Sequence, residues 1–259
     1  MIKIVLIGAG NVATRLGIAL QQAGYPILQV YSRTEESASA LAAKLSTDHT
    51  TATDSILKDA DLYIVALKDT ALQQLAPTLV KDRQHAMFVH TAGSMPMNLW
   101  KGLTPRYGVL YPMQTFSKQR DVDFSALPFF IEASSPAELE LLRAVASALS
   151  SKVYEATSDQ RRHLHLAAVF ACNFVNHMYA LSAQILEKHG IPFEVMLPLT
   201  DETARKIHEL SPVQAQTGPA VRYDRNVIGK HLEMLAEEKP LHELYKNISE
   251  SIHSLHKGQ

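Results

Sequence analysis

The chain opens on a strand that runs without a spacer into a glycine turn, and that junction restricts the fold more than anything after it. Residues 2–13 read IKIVLIGAGNVA: the apolar run Ile4, Val5, Leu6, Ile7 leads into Gly8-Ala9-Gly10-Asn11-Val12-Ala13. Gly8 permits a tight turn, Gly10 lets the backbone approach a pyrophosphate, and Ala13 stands where a third small residue allows close helix–strand packing. Phosphates there sit at a helix N-terminus, held by backbone N–H groups. The spacing predicts a buried first strand, an amphipathic helix over residues 12–23, and a dinucleotide site built from Gly8, Gly10, Asn11 and Val12.

The second strand, residues 27–31, bears on which dinucleotide. It runs out into Ser32-Arg33-Thr34. A site for NAD calls for Asp or Glu at this point, about 20 residues after the glycines, to hold the ribose 2′-hydroxyl. Arg33 instead offers a rigid fork of donors suited to a phosphate, flanked by two hydroxyls. The expectation is a 2′-phosphate site made by Ser32, Arg33 and Thr34, hence NADP. The competing reading is a solvated arginine, with Glu35 or Glu36 serving the ribose.

Strand and helix signals alternate as far as residue 156. Helices are expected over 37–45, over 70–80 with an interruption at Pro77, and from a capping box at Ser135-Pro136-Ala137-Glu138 to Leu149. Strands are expected over 60–67, 86–90, 107–111, 129–132 and 152–155. Such alternation predicts an α/β fold, a Rossmann-like, doubly wound, mostly parallel sheet. Beyond residue 157 the strand signals stop. Residues 158–189 read as one long helix, with further helices over 192–210 and 223–254 around a loop rich in helix breakers at 211–220. Two domains are expected: residues 1–156, dinucleotide-binding, and residues 157–259, all-α.

Bulk properties narrow the function class. The chain has 259 residues, a formal net charge of −1 and no basic cluster, so nothing points to nucleic acid. A single cysteine, Cys172, excludes an intramolecular disulfide framework and fits a reducing compartment. No signal-peptide pattern and no long apolar run free of polar breaks stands out. A soluble, cytoplasmic protein is expected, with no membrane partner. No His/Cys/Asp/Glu cluster has metal-ligand spacing.

The long helix is apolar nearly all round, a pattern of burial. Yet Arg162, His165, Asn173 and Asn176 fall within an arc of about 80° at 100° per residue. Polar groups on a buried helix need partners. Either they satisfy one another at a contact, or they face a cleft that holds a polar substrate.

The glycine turn, Ser-Arg-Thr after the second strand, HTAGS (90–94), YPMQTF (111–116), LHLAAVFACNF (164–174) and QTGPAVRYD (216–224) together resemble a known superfamily. It comprises 6-phosphogluconate dehydrogenase, ketopantoate reductase, pyrroline-5-carboxylate reductase and prephenate dehydrogenase. More closely, the chain resembles a bacterial group of NADP-dependent oxidoreductases in which a Rossmann-like domain precedes a 6-phosphogluconate dehydrogenase C-terminal-like helical domain of unknown function. Several superfamily members carry a lysine on the long helix, with asparagines four and eight residues later. Here those positions are His165, Val169 and Asn173, so the resemblance does not carry over the known substrates. The histidine of prephenate dehydrogenases is replaced by Tyr111 of Tyr111-Pro112-Met113.

The sequence reading is thus an NADP-dependent oxidoreductase that transfers hydride to or from a C=O or C=N carbon of a small, polar, anionic substrate. His165 is the first choice of general acid/base and His90 the second, with Asn173 beside them. Leu67 and Lys68 end a strand at the cofactor edge. Ser94, Gln114, Thr115, Arg162 and Asn176 are candidate substrate contacts. Arg222 pairs either with an anionic substrate or with Asp224. Two alternatives stay open: a non-catalytic NADP-binding or sensing protein, and an imine reductase akin to pyrroline-5-carboxylate reductase. Relatives of this type dimerise through their helices, so a homodimer is expected.

Overall fold

The computed structural model describes residues 1–257. Its first part alternates β1 (Ile4–Ile7), α1 (Asn11–Gln22), β2 (Ile27–Tyr31), α2 (Glu35–Leu45), β3 (Asp48–Thr50), β4 (Leu62–Val65), α3 (Asp69–Val80), β5 (Met87–His90), β6 (Tyr107–Pro112), β7 (Phe129–Ala133), α4 (Pro136–Ser147) and β8 (Val153–Glu155). The eight strands form one sheet in the order β3-β2-β1-β4-β5-β6-β7-β8. The β6–β7 pair is antiparallel and the other pairs are parallel. The chain moves outward from β1 to β3, then returns to lay β4 on the other side of β1. That reversal makes the loops after β1 and β4 the walls of a crevice at the carboxyl edge, where ligands bind in open α/β sheets.

The apolar runs are continuous because both faces of the sheet are covered. Ile4 and Leu6 pack with Leu16 and Leu20 of α1 and Leu142 and Val145 of α4. Val5 and Ile7 turn the other way, into a core with Tyr63, Leu72, Phe88 and Trp100. The Ser135 hydroxyl accepts the Glu138 N–H, so the expected cap of α4 forms. One local expectation is corrected. Pro77 is accommodated inside α3, near its end, and does not interrupt it. The short polar strand β3 carries no apolar alternation to announce it and is set by pairing with β2.

The long helical segment departs most from expectation. It consists of α5 (Ser158–Ala168), a π-helical stretch (Val169–Phe174) and α6 (Val175–Glu187). It is not buried: Phe170 is 62% exposed, and Leu166, Phe174, Val175 and Ile185 also face outward. By length and composition alone, Ser158–Glu187 could cross a membrane. The π turn, bonded i→i+5, also breaks the 100° spacing on which the polar arc was drawn. Arg162, Asn173 and Asn176 are exposed and His165 is half-buried, so the four do not form one buried stripe.

The chain divides into two compact units, Met1–His177 and the part from Met178 onward, so the division falls inside the long helix rather than where the strands end. Among the described residues the regular elements of the second unit are helices, including α7 (Leu197–Lys206), α8 (Pro212–Ala215), α9 (Arg225–Met234) and α10 (Lys239–His256).

Candidate active site

Gly8 adopts φ +114°, and a Cβ there would stand 2.4 Å from the Ala66 carbonyl oxygen. Only glycine lets the turn close against the end of β4, which explains its place in the motif. Gly10 opens α1 with no side-chain cap and no acidic residue in the first turn, so the helix N-terminus is free to receive an anion. A cavity of about 670 Å³ lies over this turn, lined by Gly8, Gly10, Ser32, Arg33, Thr34, Leu67 and Lys68 among others. Seven of the nine cofactor candidates meet there. Asn11 turns its amide instead to the Phe116 carbonyl at 2.9 Å, and Val12 is not part of the lining.

The charge that lines this cavity bears on which dinucleotide it suits. Its named lining includes Arg33, Lys68 and Lys118 but no carboxylate. The acidic alternative is engaged elsewhere: Glu35 Oε1 is 2.6 Å from His49 Nε2 on β3. The cradle therefore fits a dinucleotide with an extra phosphate on the adenosine ribose.

A second centre lies at the same carboxyl edge, past β4 and β5. Tyr111, on β6, is 8% exposed, and its hydroxyl is 3.2 Å from His165 Nδ1. The two rings meet edge to face, with centroids 6.1 Å apart. Gly93, in the loop after β5, makes room for this contact: a Cβ on it would lie 2.7 Å from His165 Nδ1. Burial pushes the Tyr111 phenol above its ordinary value, the nearby Arg161 charge pulls it back, and Cys172 adds to the rise. A protonated phenol joined to an imidazole is a proton donor with a relay behind it.

His90, the second candidate, sits in a different environment. It is fully buried, its ring stacked at 6.5 Å from Trp100, and Nδ1 accepts the Ala92 N–H. Burial, then the Arg161 charge, push its pKa down to about 3, against the smaller opposing effect of a backbone contact at Pro96. His90 is therefore a buried, neutral imidazole in this structure.

The buried arginine of the long helix is Arg161, not Arg162. Arg161 is 0% exposed and binds Glu132 at 2.5 Å, the Met95 carbonyl at 2.5 Å and Ser158 Oγ at 3.2 Å. Arg162 reaches Asp159 at the surface, 2.9 Å away. Other candidates are locally engaged. Ser94 donates to Asp69 at 2.5 Å, and Gln114 Oε1 accepts from the Thr115 N–H, both residues being exposed. Asp224 caps α9 through the Val227 N–H instead of pairing with Arg222.

Sequence reasoning placed Tyr111 at the strand edge but gave it no role. Its terminal position on a strand, followed by proline, was the available signal. Nothing local marked Arg161 over its neighbour, and nothing marked Lys118.

Comparison with known proteins adds the following. Residues 3–93 match the family described as NADP oxidoreductase, coenzyme F420-dependent, and residues 127–252 match a domain of unknown function, DUF2520. No curated protein matches the chain. The crystal structure of a Bacteroides fragilis protein described as a "putative NADP oxidoreductase" is 59% identical, over 98% of both chains, with a TM-score of 0.95. A Thermotoga maritima protein is 21% identical over 98% of both chains, with a TM-score of 0.72. An imine reductase of Myxococcus stipitatus, solved with NADP+, is 20% identical over 99% of this chain and 93% of that one, with a TM-score of 0.68. The last two likenesses show a shared fold.

Proposed function

The chain belongs to the NADP oxidoreductase family of the Bacteroides fragilis protein, and from that premise we propose that it binds NADP(H) over the glycine turn and exchanges hydride with a C=O or C=N carbon of a small, polar, anionic substrate. The observation that carries the reading is the Tyr111–His165 pair, 3.2 Å apart, on the same sheet edge as the carboxylate-free cradle. Bound there, the dinucleotide would supply hydride exchange at its nicotinamide ring. The chain's own residues supply the proton. Reduction leaves an electron pair on the substrate oxygen or nitrogen, and the Tyr111 hydroxyl donates its proton to it. His165, hydrogen-bonded to that hydroxyl through Nδ1, returns a proton to the phenolate from that nitrogen while Nε2 takes one from solvent. In the oxidative direction the same groups run in reverse. Gly93 fixes the imidazole by close approach, and the Gly8 turn with the α1 N-terminus would hold the pyrophosphate.

Cofactor choice tests this reading. Arg33 supplies charge-assisted hydrogen bonds, worth about 1.5–3 kcal/mol each. Arg33→Ala is therefore expected to weaken NADPH by about tenfold or more and to leave NADH nearly unchanged, measured by calorimetry. Wild-type protein that binds NADH as tightly as NADPH contradicts it.

We also propose a soluble, cytoplasmic homodimer. The outward apolar face around Leu166, Phe170 and Phe174 lies on a single helical segment, and contiguous patches of this kind mark interaction surfaces. A two-fold axis needs only the same face twice, and the net charge of −1 opposes self-association little. Light scattering at micromolar concentration is expected to give twice the chain mass, and Phe170→Glu to give one chain mass. A wild-type monomer, or protein recovered only in detergent micelles as a membrane-crossing helix requires, overturns the dimer.

A further inference from the structure

The dinucleotide cavity has one lining residue that does not come from the β1–β4 half of the sheet. Lys118 belongs to the segment between β6 and β7, yet lines the cavity with Gly8, Gly10 and Arg33. Its position is built. Asn11 donates to the Phe116 carbonyl at 2.9 Å; Arg15 donates through Nε to Ser117 O at 3.0 Å and through Nη2 to Lys118 O at 2.8 Å. Arg15 also pairs with Asp121 at 2.5 Å. Asn11 and Arg15 stand one turn apart on the same face of α1, so the strap 116–121 is pinned along the first turns of that helix. Phe116 ties the strap to the core through Phe124, at 5.9 Å between rings, and Phe124 in turn meets Phe129 at 6.1 Å. Arg15 is only 9% exposed, and its guanidinium is spent entirely on the strap.

Four hydrogen bonds from one helix face to one irregular segment fix where Lys118 begins. Among the described residues its ammonium has no ion-pair partner, and the cavity it borders has no carboxylate in its named lining. The α1 N-terminus faces the same space and favours negative charge. The strap is anchored to α1, not to the end of β2 that carries Arg33. The phosphates within reach are accordingly those that bridge the two nucleoside halves.

We propose that Lys118 is a pyrophosphate ligand delivered to the glycine turn by the strap 116–121, with Asn11 and Arg15 as its positioning residues. This inference rests on the NADP reading above. It assigns to Asn11 a role in holding the strap, rather than direct contact with the cofactor. It also places Gln114 and Thr115 immediately before a segment that the bound dinucleotide holds in place.

The test is binding measured by calorimetry on the intact protein, with NADPH and NADH as separate probes. Lys118→Ala is expected to weaken both by the same factor, about tenfold, because both carry the pyrophosphate. The salt dependence of binding should shrink with the loss of one phosphate contact. Lys118→Arg is expected to retain affinity. Arg15→Met should reproduce most of the Lys118→Ala loss for both probes while leaving Lys118 itself in place, and circular dichroism will show whether the variant is folded. A Lys118→Ala protein that loses NADPH but not NADH places the lysine on the 2′-phosphate and overturns the inference. One that binds both as wild type makes it a solvated lysine and also overturns it. Failure of the wild type to bind either dinucleotide removes the NADP reading and this inference together. A normal response of Arg33→Ala beside an unaffected Lys118→Ala removes this inference alone.

Discussion

Tyr111→Phe is expected to cut turnover by about 10²–10⁴, the range of positioned proton transfer, with NADPH affinity close to wild type. The substitution removes one oxygen and keeps the ring that packs edge to face on His165. His165→Ala should fall in the same range, and the double variant should lose little more than either single one, because the two groups act as a unit. The pH profile gives an independent reading. Burial holds the phenol above its ordinary 10.0, so it stays protonated across neutral pH. A donor must be protonated, so the reductive rate should hold through neutrality and fall only as the phenol ionises on the alkaline side. Steady-state kinetics with NADPH against a panel of small oxo acids and cyclic imines checks this. Full activity in either single variant, on any substrate that the wild type turns over, removes Tyr111 and His165 from the chemistry.

Arg161→Met is expected to destabilise the fold by about 3–5 kcal/mol, the cost of leaving one member of a buried ion pair alone. For a chain of this size that corresponds to a fall in melting temperature of roughly 6–20 °C. Glu132 would keep only the Ser158 hydroxyl at 2.7 Å, and the Met95 carbonyl would lose its donor. Arg161→Met combined with Glu132→Leu should recover much of the loss, since replacing both partners removes the stranded charge. Denaturant unfolding of the three proteins decides it. A single Arg161→Met variant within about 1 kcal/mol of wild type shows that the buried guanidinium contributes little beyond packing. Arg162→Met, one residue on, should change stability little, because its partner Asp159 is at the surface, where such pairs contribute about 0–1 kcal/mol.

The legible half of this protein is the half written in short-range terms. The strand, glycine turn and helix of residues 4–22 are fixed by a hydrophobic run, by φ +114° at Gly8 and by an uncapped helix start, all within one stretch of chain. Ser32-Arg33-Thr34 follows the second strand at a set distance, so its place beside the glycine turn, in the lining of one cavity, follows from local sequence. The parallel sheet follows from alternation, because parallel strands need crossover helices.

The Tyr111–His165 contact and its supports were decided only by folding. Tyr111 and His165 are 54 positions apart, Arg161 and Glu132 are 29 apart, and Lys118 is 103 from the arginine that holds it. Periodicity along a helix names a face, but not which of two neighbouring arginines will be buried against Glu132. Nor does it foresee the π turn at 169–174, which changes the angular spacing after His165. The same limit applies to burial. Apolar residues all round a helix state that it must be covered, while Leu166, Phe170 and Phe174 stay exposed. Local sequence fixes backbone preference and hydrophobic content because both act between near neighbours. Which polar atoms meet, and at what charge, depends on the low-dielectric space that only distant segments enclose together.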